Sequence, residues 1–365
     1  MYQKHRLSAK SSDSIATERH NIVKYAFIIL MLVCLTGQAM PAFAADDLHI
    51  LTSDKIMPPA VVDKFEREYG IRLRIEHFDS QEALTAYLSG RPKYDLALLR
   101  SHYVEGLRDK QLLAPLNHKI LSNFGNLARE AMMDPNDPGC LYSLPYLVGN
   151  LGILYRTGFL AGNPSSWGFI FTDNAGAMPF ALTDQYRDAL GTALLSLGYS
   201  YNSTSASEIE EAAEKIRELT QRPAFISFTS PDLMLRYLRE KVIYIALTTN
   251  NLAAMAMSMD PSLSYVTPEN QGIVWAYTFV ISSSSQRLVS AHRWLNFTLR
   301  PDIAAEIAAW NMATSPNQAA LALLPPEIRS NPVLYPPETI WHNAAAPRNV
   351  GDVEKLYVDF WSRLK

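Results

Sequence analysis

The sequence predicts an α/β chain of two lobes, each a mixed sheet flanked by helices, with a cleft at the hinge between them. Three observations point to this class. Short apolar strands alternate with amphipathic helices from Leu48 onward, which implies parallel pairing with helices on both faces. The pattern restarts after a long apolar segment at 142–156, so one such unit follows another. The chain has 365 residues, more than a single core of ordinary size requires.

The N-terminus is set apart from this pattern. Residues 1–24 are polar and carry Lys4, Arg6, Lys10, Arg19 and Lys24 against Asp13 and Glu18. An apolar run follows at 25–35, and then the small-residue site Ala42-Phe43-Ala44. A basic region, a short apolar region and an A-x-A site describe a cleaved secretory signal peptide, here 1–44. The run is shorter than the ~20 residues a spanning helix needs, and Gln38 and Pro41 interrupt its continuation. Of the two cysteines, Cys34 lies in the leader, so the mature chain keeps only Cys140 and forms no internal disulfide. The whole chain has 33 Lys and Arg against 36 Asp and Glu; the leader removes five and two of these, leaving a net charge of −6. That charge excludes a nucleic-acid binder, which needs a basic surface.

The elements follow in order. Residues 48–51 read as a buried strand. Pro58-Pro59 starts a helix through Glu68, with Val61, Val62 and Phe65 on one face, and Gly70 stops it. Residues 71–78 alternate apolar and polar as a strand does. Ser80 caps a helix over 81–88, 95–99 is a third strand, and 103–113 is helical. Pro145 and Gly149 break the apolar segment 142–156. A helix over 187–197 comes next, and Ser205 with Glu208 forms a capping box for the helix 206–220. Helix 231–239, strand 242–247, strand 273–281 and helices 290–299 and 301–310 complete the pattern. The expected division is 45–150 with 276–322 as lobe 1, and 151–275 with 323–365 as lobe 2. Two lobes joined by strand-like crossings in a secreted chain suggest a hinged binding protein that closes on a ligand.

Particular stretches are more specific. His49-Ile50 runs to Pro58-Pro59, then through Phe65-Glu66-Arg67-Glu68-Tyr69-Gly70-Ile71 to Phe78-Asp79-Ser80. Tyr94-Asp95-Leu96, Tyr142-Ser143-Leu144-Pro145-Tyr146 and Leu182-Thr183-Asp184 follow, with Leu197-Gly198-Tyr199-Ser200 after them. Leu295-Asn296-Phe297-Thr298-Leu299-Arg300-Pro301-Asp302 and Leu334-Tyr335-Pro336-Pro337-Glu338-Thr339 are the most telling. In this order, across nearly the whole mature chain, the sequence resembles the periplasmic spermidine- and putrescine-binding proteins that feed ABC importers. The resemblance implies a periplasmic-binding-protein fold, type II-like. It also implies a small polyamine-like ligand, an inner-membrane ABC permease as partner, no cofactor and a monomer in the periplasm.

A polyamine site has a physical recipe: carboxylates for the protonated amines and flat aromatic faces for the methylene chain. Carried over residue by residue, the resemblance places Trp275 at a stacking position, Asp188 at a recognition acid and Ser230 at a hydroxyl contact. It also marks departures. Ser53 falls where a first-loop Trp is expected, and Asp54 beside it; a one-residue shift pairs them differently, and both registers stay open. Lys55 stands at an acid, Arg100 at a Ser, His102 at a stacking Tyr and Gln185 at an acid that Asp184 precedes. Tyr277 stands at another acid, while Leu247 and Ala313 replace aromatics. The candidate ligand-binding residues are therefore Trp275, Asp188, Asp54, Ser53, His102, Tyr277, Gln185, Ser230 and Arg100. Each has a plainer reading as well: core for Trp275, a helix-start acid for Asp188, and a solvent-facing charge or a partner for Asp54 in the case of Arg100.

Three function classes follow. The first is a transport receptor for a polyamine or related cation. The second is a sensor subunit of the same fold that regulates a membrane signalling protein, its ligand changed or lost. The third is an enzyme, for which the chain offers no G-x-S-x-G, H-E-x-x-H, C-x-x-C or phosphate-cradling Gly loop. The expectation is a binding protein and not an enzyme.

Overall fold

The structure is a computed structural model that describes residues 46–52, 55–160, 164–172, 178–268, 271–342 and 344–365. The leader 1–44 and the candidates Ser53 and Asp54 lie outside the described residues.

The described strands are β1 (Asp46–Thr52), β2 (Ile71–His77), β3 (Leu96–Arg100), β4 (Leu113–Ala114), β5 (Ser143–Arg156), β6 (Phe180–Thr183), β7 (Phe225–Thr229), β8 (Ile245–Thr249), β9 (Leu263–Val266) and β10 (Ile273–Ser282). The helices of the first half are α1 (Pro59–Tyr69), α2 (Gln81–Ser89), α3 (Val104–Asp109), α4 (Gly168–Phe171), α5 (Tyr186–Ser196) and α6 (Ala206–Thr220). Those of the second half are α7 (Pro231–Arg239), α8 (Asn250–Met259), α9 (Leu288–Thr298), α10 (Pro301–Asn311), α11 (Pro326–Arg329), α12 (Glu338–His342) and α13 (Glu354–Leu364). No helix among the described residues is long and apolar enough to cross a membrane.

The strands form one continuous sheet in the order β2-β1-β3-β10-β5-β8-β6-β7, with β4 on β10 and β9 on β5. Its two ends are parallel: β2, β1 and β3 at one, β8, β6 and β7 at the other. Between them β5 and β10 run antiparallel to each other. Both are long enough to serve two lobes. The first part of β5 pairs with β10, its last part pairs with β8 and β9, and Leu151 belongs to both ladders. This is the strand-like crossing the sequence suggests.

The expected break at Pro145 and Gly149 does not occur; β5 passes through both. Pro145 lacks the N–H a ladder needs, and the register shifts there, with Leu147 opposite Tyr277 but Pro145 opposite Thr278. Tyr146 is the extra residue of that bulge. Gly149 is required for a different reason. It pairs with Trp275, whose ring lies across it, and a Cβ at Gly149 would sit 2.3 Å from that ring and from the Asn250 side chain.

Local signals otherwise set the boundaries. The Ser80 hydroxyl accepts from the Ala83 N–H and starts α2. Ser205 caps α6 through the Glu208 N–H. The reciprocal half of that box is replaced: the Glu208 carboxylate accepts from Ser203 Oγ, and Ser203 Oγ in turn accepts from the Ser205 N–H. The expected helix over 103–113 is shorter, since α3 ends at Asp109 and β4 follows to pair with β10. The strands β6, β7 and β9 and the helix α8 were not legible by periodicity.

Apolar burial divides about the crossing strands. One cluster joins Phe65, Tyr146, Phe279, Trp294, Leu295 and Phe297, and Phe65 meets Trp294 edge-on with centroids 5.0 Å apart. A second joins Trp167, Leu190, Tyr201, Ile216, Leu247 and Tyr357. Helix α10 belongs to more than one core: Ile303 and Ile307 face the first, while Ala304, Ala305 and Ala308 join Leu154, Met234 and Leu252 in a third. Cys140 is buried, and burial pushes its thiol up to about 12, so it stays protonated.

A Gly149→Ala variant should lose about 3 kcal/mol of stability, since the new methyl overlaps a ring and an amide that are both held. Gly125→Ala, where a Cβ meets nothing within 4 Å, should be near neutral. Equal melting temperatures for the two variants would contradict this packing.

Candidate functional site

The crossing strands deliver the first wall of the cleft. Trp275 and Tyr277 are two residues apart on β10, so their side chains share one face, and their rings meet edge-on at 5.6 Å. Trp275 is fixed by more than packing. Its Nε1–H donates to the Asn150 carbonyl at 3.1 Å, and Asn150 Oδ1 accepts from Tyr265 and Thr267, each at 2.8 Å. Tyr277 stands directly opposite Arg100, the last residue of β3. The Arg100 N–H donates to Gln81 Oε1 at 3.0 Å, which pins the end of that strand to the start of α2.

The opposite wall is the N-terminal turn of α5. Asp188 is buried there and accepts from the Tyr201 hydroxyl at 3.1 Å. That hydroxyl reaches Asp188 because Gly191, one turn along α5, leaves room for the Tyr201 ring; a Cβ at Gly191 would lie 2.1 Å from it. Beside it, Arg187 donates to Glu354 and Asn202, both at 2.8 Å, and its guanidinium lies 4.6 Å from the Tyr357 ring centre. Tyr186 donates to the other oxygen of Glu354.

One interaction joins the walls. Arg100 donates from one nitrogen to both oxygens of Asp188, at 2.9 and 3.3 Å. Both side chains are buried, at 5% and 2% exposure. The same guanidinium lies 6.0 Å from the Trp275 ring centre and 5.8 Å from that of Tyr277, inside cation–π range. Burial disfavours the charge, but the neighbouring Asp188 carboxylate more than offsets this and holds Arg100 protonated. The reading that turns Arg100 to solvent is therefore corrected: it is buried, and among the described residues its carboxylate partner is Asp188.

Around this pair remains a cavity of about 10 Å³, bordered by His102, Tyr103, Gln185 and Arg187 among others. That is at the lower limit for one water. Of the sequence candidates, Arg100, His102, Gln185 and Asp188 border the cavity, and Trp275 and Tyr277 flank the guanidinium. Ser230 is exposed at the start of α7 and does not border it. Lys55 is exposed and Leu247 belongs to the second core. Gln185 donates to Asp184 at 3.0 Å. Residues that sequence reasoning missed are Gln81, Tyr103, Tyr186, Arg187 and Tyr201. Tyr103, Tyr186 and Arg187 each adjoin a candidate, His102, Gln185 and Asp188 in turn, which is the one signal the sequence carried for them.

His102, just before α3, is not a surface residue. It is buried, its ring lies 4.0 Å from that of Tyr103, and its Nε2 has no hydrogen-bond partner among the described residues. Burial, with Arg187 and Arg100 nearby, holds its pKa well below the ordinary value, so the imidazole is neutral. The unfolded chain binds this proton below about pH 6.5 while the folded chain refuses it, so stability is lost as pH falls through that value. His102→Gln should therefore lose less stability than the unmodified chain between pH 7.5 and 5, as measured by urea unfolding. An unchanged pH dependence would contradict the buried neutral ring.

Comparison with known proteins agrees with this architecture. Residues 60–336 match the family model for bacterial extracellular solute-binding proteins. A spermidine/putrescine-binding periplasmic protein of Salmonella typhimurium is 29% identical over 323 residues, covering 88% of this chain and 92% of that one. A putrescine/agmatine-binding protein of Pseudomonas aeruginosa is 25% identical, covering 93% and 97%. Among solved structures, the spermidine/putrescine substrate-binding protein PotD of Streptococcus pneumoniae superposes with a TM-score of 0.73 at 28% identity, covering 88% and 100%. A spermidine/putrescine transporter chain of Listeria monocytogenes reaches 0.81 at 28%, covering 87% and 98%. With the family model spanning most of its length, the chain belongs to the bacterial extracellular solute-binding protein family.

Proposed function

We propose that this protein is the periplasmic receptor of an ABC importer and captures a small organic amine, of the polyamine type, in the cleft between β10 and α5. The observation that carries the reading is the meeting of Trp275, Tyr277 and Asp188 across the seam: two aromatic faces and one buried carboxylate around a cation. That is the chemistry an ammonium with a methylene chain requires. The relatives' names, spermidine/putrescine-binding and putrescine/agmatine-binding, support the same ligand class. They give no support to a sensor role.

On this reading residues 1–44 are removed on export, the mature chain works as a monomer in the periplasm, and its partner is an inner-membrane permease. The chain binds and releases its ligand without chemistry, as its relatives are named binding proteins and not enzymes. We place the lobe boundaries near 150/151 and 275/276, close to Leu151, where β5 passes from β10 to β8, and to Tyr277, where β10 begins to pair with β3.

A ligand that binds only the folded state raises its stability by about 2.7 kcal/mol at a hundred times its Kd. In a thermal-shift series on the mature chain, putrescine, spermidine or norspermidine should raise the melting temperature while small carboxylic acids do not. A strong shift with a carboxylate and none with any amine would sink this reading. Asp188→Asn and Trp275→Ala, if folded by circular dichroism, should each weaken amine binding at least tenfold by calorimetry. Full affinity in both would remove the proposed pocket.

A further inference from the structure

The acid on α5 has a cation beside it on its own helix. Arg187 immediately precedes Asp188 and is buried like it. Asp188 does not neutralise Arg187: the hydrogen bonds to its carboxylate come from Arg100 and Tyr201. Among the described residues the carboxylate partner of Arg187 is Glu354, in the first turn of α13. Arg187 Nη1 donates to Glu354 Oε2 at 2.8 Å, and the Tyr186 hydroxyl donates to Oε1. Both oxygens therefore serve α5, at the two positions just before Asp188. The other contacts of the guanidinium, Asn202 Oδ1 at 2.8 Å and the Tyr357 ring with its centre 4.6 Å away, carry no charge. Burial disfavours the charge on Arg187, but Glu354 more than offsets this and keeps it protonated. All of these groups lie on the α5 side of the seam, so the arrangement does not depend on how the two walls approach. Without Glu354, a buried cation would stand one residue from the acid of the cleft, where water screens it only weakly.

We propose that Glu354 is a positioning residue that sets the sign of charge the cleft accepts: it engages Arg187 from α13 and so keeps that cation from cancelling Asp188. The inference deepens the amine reading of the same site and rests on it for the ligand class. Glu354 does this without touching the ligand. It acts through Arg187, whose guanidinium it holds against Asn202 and Tyr357. Loss of its charge leaves the wall one unit more positive, which opposes a bound ammonium and favours a carboxylate. A residue that merely braced the fold would change the affinity for both classes in the same direction.

The test measures putrescine and succinate, a diamine and a diacid of equal carbon number, by calorimetry on the mature chain and on Glu354→Gln, which keeps the side-chain shape and removes the charge. E354Q should bind putrescine about tenfold more weakly and succinate more tightly than the parent. Removing Arg187 as well, in E354Q combined with Arg187→Gln, should recover putrescine affinity over E354Q alone. Folded E354Q with parental putrescine affinity overturns the inference. Weakening of both ligands, or no recovery in the double variant, overturns it too. Arg187→Gln alone leaves Glu354 uncompensated and should shift both affinities the opposite way; it decides the matter if E354Q does not fold. The amine reading fails separately. If the parent binds succinate and no amine, and E354Q binds succinate more tightly, Glu354 still sets the sign and the ligand is of another class. If the parent binds neither, E354Q should still gain succinate binding, and its failure to do so removes the inference together with the amine reading.

Discussion

Two charges 88 positions apart in the chain, Arg100 and Asp188, meet across the seam between the lobes, and the form of the cleft depends on that meeting. A buried ion pair is not by itself a source of net stability, because desolvation of both ions offsets most of their attraction. Losing one partner, however, strands the other in a site with little water and costs about 3–5 kcal/mol. The pair therefore acts mainly as a constraint: each charge makes the other necessary. Tyr201 on one side and the Gln81 contact on the other hold the two ends in place.

The pair itself comes from β3 and α5, and the aromatic rings beside it come from β10. β10 and β5 are the two middle strands of the sheet. Gly149 gives Trp275 its place and Asn150 orients its ring nitrogen. The buried network of Asn150, Tyr265, Thr267 and Asn250 stiffens the strands just where the lobes join. The network is satisfied at Asn150 Oδ1, while Asn150 Nδ2 is buried and finds no partner among the described residues.

Much of the scaffold was legible in the sequence because its signals are local. Pro58-Pro59 with Gly70, Ser80 before α2 and Ser205 before α6 each mark a boundary through a backbone group that must be satisfied within a few residues. Pro145 misled for the same reason. Read locally it breaks a strand, but in the sheet one unpaired residue, Tyr146, absorbs the missing donor. The site was half legible. Trp275, Asp188 and Arg100 were all singled out, yet as separate contacts to a ligand, since no periodicity tells that residues on β3 and α5 will meet. Tyr201 and Arg187 gain their roles only from the packing of α5 against α6 and α13. Ser230, matched by position alone, lies outside the cavity.

The family model places this chain among bacterial extracellular solute-binding proteins, and the cleft holds two aromatic faces and a buried carboxylate. The cation between them is supplied by the chain's own β3. The most direct measurement is a crystal structure of the mature chain grown without ligand. The Arg100 guanidinium should lie within about 3 Å of Asp188, between Trp275 and Tyr277. Arg100 turned to solvent with Asp188 hydrated would contradict it.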